Sequence, residues 1–157
     1  MKKYKVGILV VVCFLVGLFS FTISTGDSFF TTKYYKKPLS AYNAGVAYDD
    51  RAEREIGLFM LDSENCLFIG ELDDNGFVVN EMILKKRGYA SKGCTFFYDF
   101  SDLSGEASKN STAVSNGDVS WAILYSQAEI ENLSDAEAVN SYTHTNGHVI
   151  HLVIYKS

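Results

Sequence analysis

The residues of this 157-residue chain that could do chemistry are few, and most of them sit in three short stretches. All three histidines, His144, His148 and His151, fall within Thr143-His-Thr-Asn-Gly-His-Val-Ile-His151, the imidazole density that a zinc site uses. Strand geometry argues against convergence. With Asn146-Gly147 as a two-residue turn, His144 faces Val149, so His144 and His151 share one face of a hairpin while His148 points to the other. Glu71-Leu-Asp73-Asp-Asn75-Gly76 has the look of the opening of a calcium loop. Its first position is Glu, however, and the twelfth, where a bidentate Glu is needed, is Met82. Asp49, Asp50, Glu53 and Glu55 could be paired carboxylates for proton transfer, but Arg51 and Arg54 interleave them, which reads as a solvated face. No cofactor is expected, because the chain has no G-x-S-x-G elbow, no P-loop and no G-x-G-x-x-G.

Two thiols, Cys66 and Cys94, lie beyond the hydrophobic N-terminus, and in an oxidising compartment they are expected to form a disulfide around one hairpin. The rival is a nucleophilic Cys94 with a histidine as base, the core of a small envelope enzyme. The third cysteine, Cys13, lies inside an apolar run and reads as filler.

That run governs where the chain goes. Lys2, Lys3 and Lys5 precede Val6 to Gly26, which has no charged side chain and includes ILVVVCFLVGLFSF from Ile8 to Phe21. Residues 1–26 therefore read as a signal peptide or an N-terminal membrane anchor, and either one exports the rest, with the amino terminus inside. Residues 27–40, with Phe29, Phe30, Tyr34 and Tyr35 among lysines and Pro38 near the end, read as a juxtamembrane linker. The exported domain is then 41–157. From residue 27 onward 11 basic residues stand against 19 acidic ones, a net charge of −8, so nucleic acid is not an expected partner.

Within the domain, Ala41 to Glu55 pairs Asp50 with Arg54 and Arg51 with Glu55 at helical spacing and predicts a short helix. After Gly57 the pattern turns to β-rich runs: Leu58–Leu61, Leu67–Leu72, Phe77–Leu84, Thr95–Phe100, Val119–Tyr125 and Val149–Tyr155. Asn75-Gly76 and Asn146-Gly147 predict tight hairpins. Folding the first about its Asn-Gly pair puts Phe68, Gly70, Leu72, Phe77, Val79 and Ile83 on one face and Leu67, Ile69, Val78, Met82 and Leu84 on the other. Both faces are apolar, so these strands should be covered on both sides. The C-terminal run is apolar on both faces too and belongs inside a sheet. Leu103–Asp118 reads as a long polar loop. Between Tyr125 and Thr143, Ser126-Gln-Ala-Glu129 and Ser134-Asp-Ala-Glu137 match capping boxes and predict two helical turns. The fold class that follows is mainly β: an antiparallel sheet or two-layer sandwich with short helices, preceded by one hydrophobic N-terminal helix.

The first twenty-five residues resemble those of minor pilin-like proteins, in which a glycine, here Gly7, precedes a hydrophobic helix opening Ile8-Leu-Val-Val-Val12; the chain departs from that pattern at Val12, where major pilins carry a glutamate. The resemblance implies a β-rich head and an assembly or secretion-apparatus role. The broader expectation is a non-enzymatic exported envelope protein that acts by binding another envelope protein, as an immunity protein, inhibitor or assembly subunit does, and that meets the membrane through residues 6–26 if these are retained.

Overall fold

A computed structural model describes residues 32–73, 76–102, 106–125, 133 and 135–155. The unit that holds the fold begins at Tyr34, within the stretch read as linker. Its elements are α1 (Pro38–Asn43), β1 (Arg54–Met60), β2 (Asn65–Asp73), β3 (Gly76–Lys85), β4 (Gly88–Asp99), β5 (Glu106–Val114), β6 (Gly117–Leu124), β7 (Ala136–Thr143) and β8 (Val149–Tyr155), with short 3-10 turns at Tyr48–Asp50 and Phe100–Asp102. Two four-stranded antiparallel sheets result, ordered β1-β2-β3-β4 and β5-β6-β8-β7. The protein is mainly β with one short helix among the described residues. The hydrophobic N-terminal helix read from residues 6–26 lies outside them, and none of the described helices is long and apolar enough to cross a membrane.

The sheets pack face to face around Leu67, Ile69, Phe77 and Val79 from the first and Trp121, Ile123, Ile150, Leu152 and Ile154 from the second. A polar rivet crosses this core. The Trp121 indole N–H donates to Thr112 Oγ1 at 2.8 Å, and that hydroxyl donates to Glu81 Oε1 at 2.8 Å, so both buried groups are satisfied between sheets. The opposite face of the first sheet buries Cys66, Phe68, Val78 and Met82 under Ala41, Tyr42 and Ala52, which is why β2 and β3 are apolar on both sides.

Pro38 starts α1, since its fixed φ and missing N–H suit the first helical turn. The helix expected over 41–55 therefore comes early and stops at Asn43, and Arg54 opens β1 instead of pairing with Asp50. Ala136–Thr143 is strand, not helix: Val139, Tyr142 and Thr143 favour a pleated surface, and exposure alternates along the whole segment. The first capping box, at 126–129, lies outside the described residues. Glu106–Val114 is an edge strand rather than a loop, polar because one side of an edge faces water. β8 is interior, between β6 and β7.

The hairpin registers differ from expectation. The β2–β3 turn closes one residue earlier than an Asn75-Gly76 centre would place it, and Asn116-Gly117 closes β5–β6 in the same way, there with Gly117 at positive φ. Val114 pairs with Gly117, and Asp73 with Gly76. In the latter hairpin a further irregularity at Glu71 makes the total slip odd, so Phe77 and Val79 share a face with Leu67 and Ile69, not with Phe68.

Gly88 is the turn residue on which the domain's start depends. Its φ is +121°, and a Cβ there would lie 2.1 Å from the Tyr35 carbonyl oxygen, which itself accepts from the Tyr89 N–H at 2.7 Å. Gly93, at φ +83°, has nothing within 4 Å of a Cβ. Gly88→Ala is expected to cost about 2 kcal/mol or more in urea unfolding, and Gly93→Ala only about 1 kcal/mol from backbone strain. Equal costs would show that the Tyr35 contact contributes nothing.

Candidate functional site

The side chains singled out for metal or thiol chemistry are not brought together. Thr143 pairs with Val149, and the His144 N–H donates to the His148 carbonyl at 2.9 Å, so a three-residue loop closes the β7–β8 hairpin. His144 and His148 then lie on the same side, one edge-on to the Phe100 ring at 4.9 Å and the other stacked on it at 4.6 Å. His151, expected beside His144, instead faces across β7 with Nδ1 2.8 Å from Ser141 Oγ, and burial lowers its pKa. Among the described residues no three His, Cys, Asp or Glu side chains are grouped to hold a metal ion.

The expected disulfide is not formed. Cys66 is buried on β2, and Cys94 is exposed on β4. With β3 between them the lateral separation alone is roughly 10 Å, beyond what an S–S link can span. Burial pushes the Cys66 thiol up to about 11, which leaves it inert.

What the fold does assemble is a cleft of about 410 Å³ at one end of the first sheet, lined by Asp49, Asp50, Leu72, Asp73, Gly76, Phe97, Tyr98 and Asp99. Three chain segments build it, and each is fixed by a specific contact. Asp49 and Asp50 sit on the 3-10 turn after α1. That turn is pinned by the Tyr42 hydroxyl donating to the Asp50 carbonyl at 2.8 Å, and by Asn43, whose side chain both donates to and accepts from the Ala52 backbone at 2.8 and 2.9 Å. Burial, with the Asp50 charge added, pushes the Tyr42 phenol up to about 12, so it remains a donor. Leu72, Asp73 and Gly76 flank the β2–β3 turn. Its Gly76 carbonyl accepts from His144 Nε2 at 3.1 Å, while His144 Nδ1 accepts the Asn146 N–H at 3.2 Å. Phe97, Tyr98 and Asp99 end β4. Tyr98 stacks on Phe77 with ring centres 4.8 Å apart, and Asp99 accepts from the Ser101 N–H, which holds its carboxyl below the usual range.

Four carboxylates line this cleft and no cation does. The nearest arginines in sequence are engaged elsewhere: Arg51 lies over the Tyr48 ring, and Arg54 pairs with Glu71. Phe97 is 51% exposed beside them, a large apolar side chain left in water. Nothing in the sequence advertised this arrangement, because Asp49 and Asp50 read as a solvated face, Asp73 as part of an incomplete calcium-loop pattern and Phe97 as one strand residue among several. Only the register of β3 against β4 brings Gly76 beside Asp99.

Glu71, adjacent in β2 to the cleft residue Leu72, joins the two sheets. Its nearly buried carboxylate accepts from Arg54 on β1 and from the Thr145 hydroxyl and N–H on the β7–β8 loop, and Arg54 also donates to Thr145 at 2.8 Å. Burial alone would raise the Glu71 carboxyl, but these donors outweigh it and hold the group below its ordinary value. A depressed carboxyl contributes stability above its unfolded pKa, near 4.5, that is lost as pH falls through the folded value. Glu71→Gln should therefore be less stable than the wild type at pH 7 and lose less between pH 5 and pH 3, measured by chemical unfolding at each pH. Parallel pH curves would show that Glu71 is not held ionised by these contacts. No protein-family model, curated protein or solved structure matches this chain.

Proposed function

We propose that the chain is a non-enzymatic, exported envelope protein whose β-sandwich binds another protein through the acidic cleft, which accepts a lysine or arginine flanked by apolar surface. The observation that carries this reading is the conjunction in one cleft of Asp49, Asp50, Asp73 and Asp99 with the half-exposed Phe97. A cation entering there gains from four anionic groups in a concave site, where field lines concentrate, and Phe97 supplies the aromatic anchor around which binding energy concentrates in protein interfaces. The net charge of −8 from residue 27 onward would steer a basic partner inward and repel acidic ones, nucleic acid included. A bare metal ion is less well served, since among the described residues no three carboxylates are grouped as ligands. Export is supported by the lysines before the uncharged stretch from Val6 to Gly26.

The test uses the full chain and a synthetic peptide with two lysines and an arginine around a central leucine. Saturable binding should weaken about tenfold or more between 50 and 300 mM salt. It should also be lost in the Asp49→Asn/Asp50→Asn double variant and reduced in Phe97→Ser, while a peptide with glutamates in place of its basic residues should not bind. Basic-peptide binding indifferent to all three substitutions would overturn the assignment to the cleft. For the compartment, a reporter fused after Ser157 should be active outside the cytoplasm; activity confined to the cytoplasm would overturn the export reading.

A further inference from the structure

The second sheet presents a different kind of surface. β7 is one of its two edge strands, and among the described residues no strand pairs with β7's outer side. The other edges carry the devices that discourage strand addition. β1 has a bulge and two charged residues at its start. β4 has an irregularity facing Asn80 and Met82, close to Lys92, whose ammonium donates to the Ala113 carbonyl at 3.1 Å. β5 carries Lys109, seated over the Tyr155 ring. From Val139 to Thr143, β7 has no charge, no proline and no bulge, and it pairs with β8 in five consecutive steps.

The hydrogen bond from His144 to His148 fixes the alternation of the ladder. Tyr142 and Asn140 exchange bonds with β8, while the N–H and C=O groups of Val139, Ser141 and Thr143 point away from it. Three outward residues at alternate positions are a template for one more antiparallel strand. Their side chains are small or β-branched and exposed, with Val139 at 39%.

We infer that this edge pairs with the same edge of a second copy, in antiparallel register about Ser141. Val139 then lies opposite Thr143 of the partner and Ser141 opposite itself, which satisfies all six outward backbone groups of each strand. The register is self-complementary in charge as well. Glu137, the only charged residue of β7, lies at the irregularity between Ala136 and Ala138, outside the paired steps 139–143, so no like charges face each other across the two-fold seam. A second copy is favoured over an unrelated strand because the two-fold arrangement needs no partner sequence beyond this one and closes on itself as a dimer. The contact is a single strand pair, below the area of a permanent interface, so association in the micromolar range is expected.

The experiment is sedimentation of the full chain over a hundredfold range of concentration, with hydrogen exchange of the peptide covering 136–143. The wild type should pass from monomer to dimer, with protection of that peptide rising at least fivefold over the range. Ser141→Lys and Ser141→Asp should each remain monomeric while melting cooperatively, and mixing the two should restore a dimer, since position 141 faces itself. A dimer insensitive to these charges, as association through residues 6–26 would be, overturns the proposal. So does a monomer at all concentrations, or protection of 136–143 that is independent of concentration, which would place another part of the same chain on the edge. If the charged variants fail to fold, the wild-type exchange experiment alone decides.

Discussion

The contact on which most of this structure depends is the nearly buried carboxylate of Glu71. It bonds simultaneously to β1, through Arg54, and to the β7–β8 loop of the other sheet, through Thr145. Its backbone takes part too, since the Glu71 carbonyl accepts from the Glu53 N–H at 2.7 Å and so fixes where the loop carrying Asp49 and Asp50 rejoins β1. A carboxylate in that position is expensive to desolvate and is tolerated only because its oxygens are met by donors on both sides. Removing either partner would leave a charge with nowhere to go, which makes the contact a strong constraint on how the two sheets meet at this end. The neighbouring His144 extends the same constraint. Fully buried, it donates to Gly76 and accepts from Asn146, tying the β2–β3 turn of one sheet to the β7–β8 turn of the other.

At the far end of the sandwich Asp62 plays the corresponding part. In the β1–β2 turn it accepts from the Glu64 and Asn65 N–H groups at 2.7 and 2.6 Å, and it reaches across to the Ser115 N–H and hydroxyl at 2.8 Å each, in the β5–β6 turn. These donors, the Ser115 N–H foremost, hold its carboxyl well below the ordinary range. Between the two ends the Trp121–Thr112–Glu81 chain crosses the apolar core. Three polar links therefore set the relative register of two sheets that apolar packing alone would leave free to slide, because hydrophobic burial is not directional.

The parts of the fold legible in the sequence were those where burial is two-sided. β2, β3, β6 and β8 are continuous apolar runs, and such runs announce central strands whatever their register. β5 and β7 were hidden because an edge strand with one solvated side looks polar or amphipathic, and in β7 the Ser134-Asp-Ala-Glu137 spacing mimicked a helix cap. Register was hidden more deeply. It turns on where a turn closes and on whether an irregularity follows it; at Glu71 one such irregularity makes the slip odd and exchanges the face that β3 shares with β2. The disulfide expectation failed on strand order, since two cysteines that flank a hairpin in sequence lie on strands separated by a third. The cleft was invisible for a different one. Its four aspartates belong to three segments, each with a sufficient local explanation as turn or solvated face, and only tertiary structure makes them neighbours.

The two surfaces argued here draw on different physics, and the net charge sets their balance. The cleft attracts by charge, whereas the β7 edge attracts by unmet backbone hydrogen bonds, and bringing two copies together opposes two net-negative segments, each −8 from residue 27 onward. That repulsion opposes the strand pairing without altering its geometry, as a uniform field raises the cost of approach while leaving the short-range ladder intact. An uncharged domain with a bare edge would be a template for indefinite association. Here pairing of β7 with β7 consumes both bare edges at once, and the strands left at the rim of the joined sheet are the two copies of β5, each with Lys109 on it. The assembly therefore stops at two, and because the pairing involves the second sheet while the cleft is built on the first, a basic partner that neutralised the aspartates would lower the repulsion between copies and strengthen the pairing without touching β7.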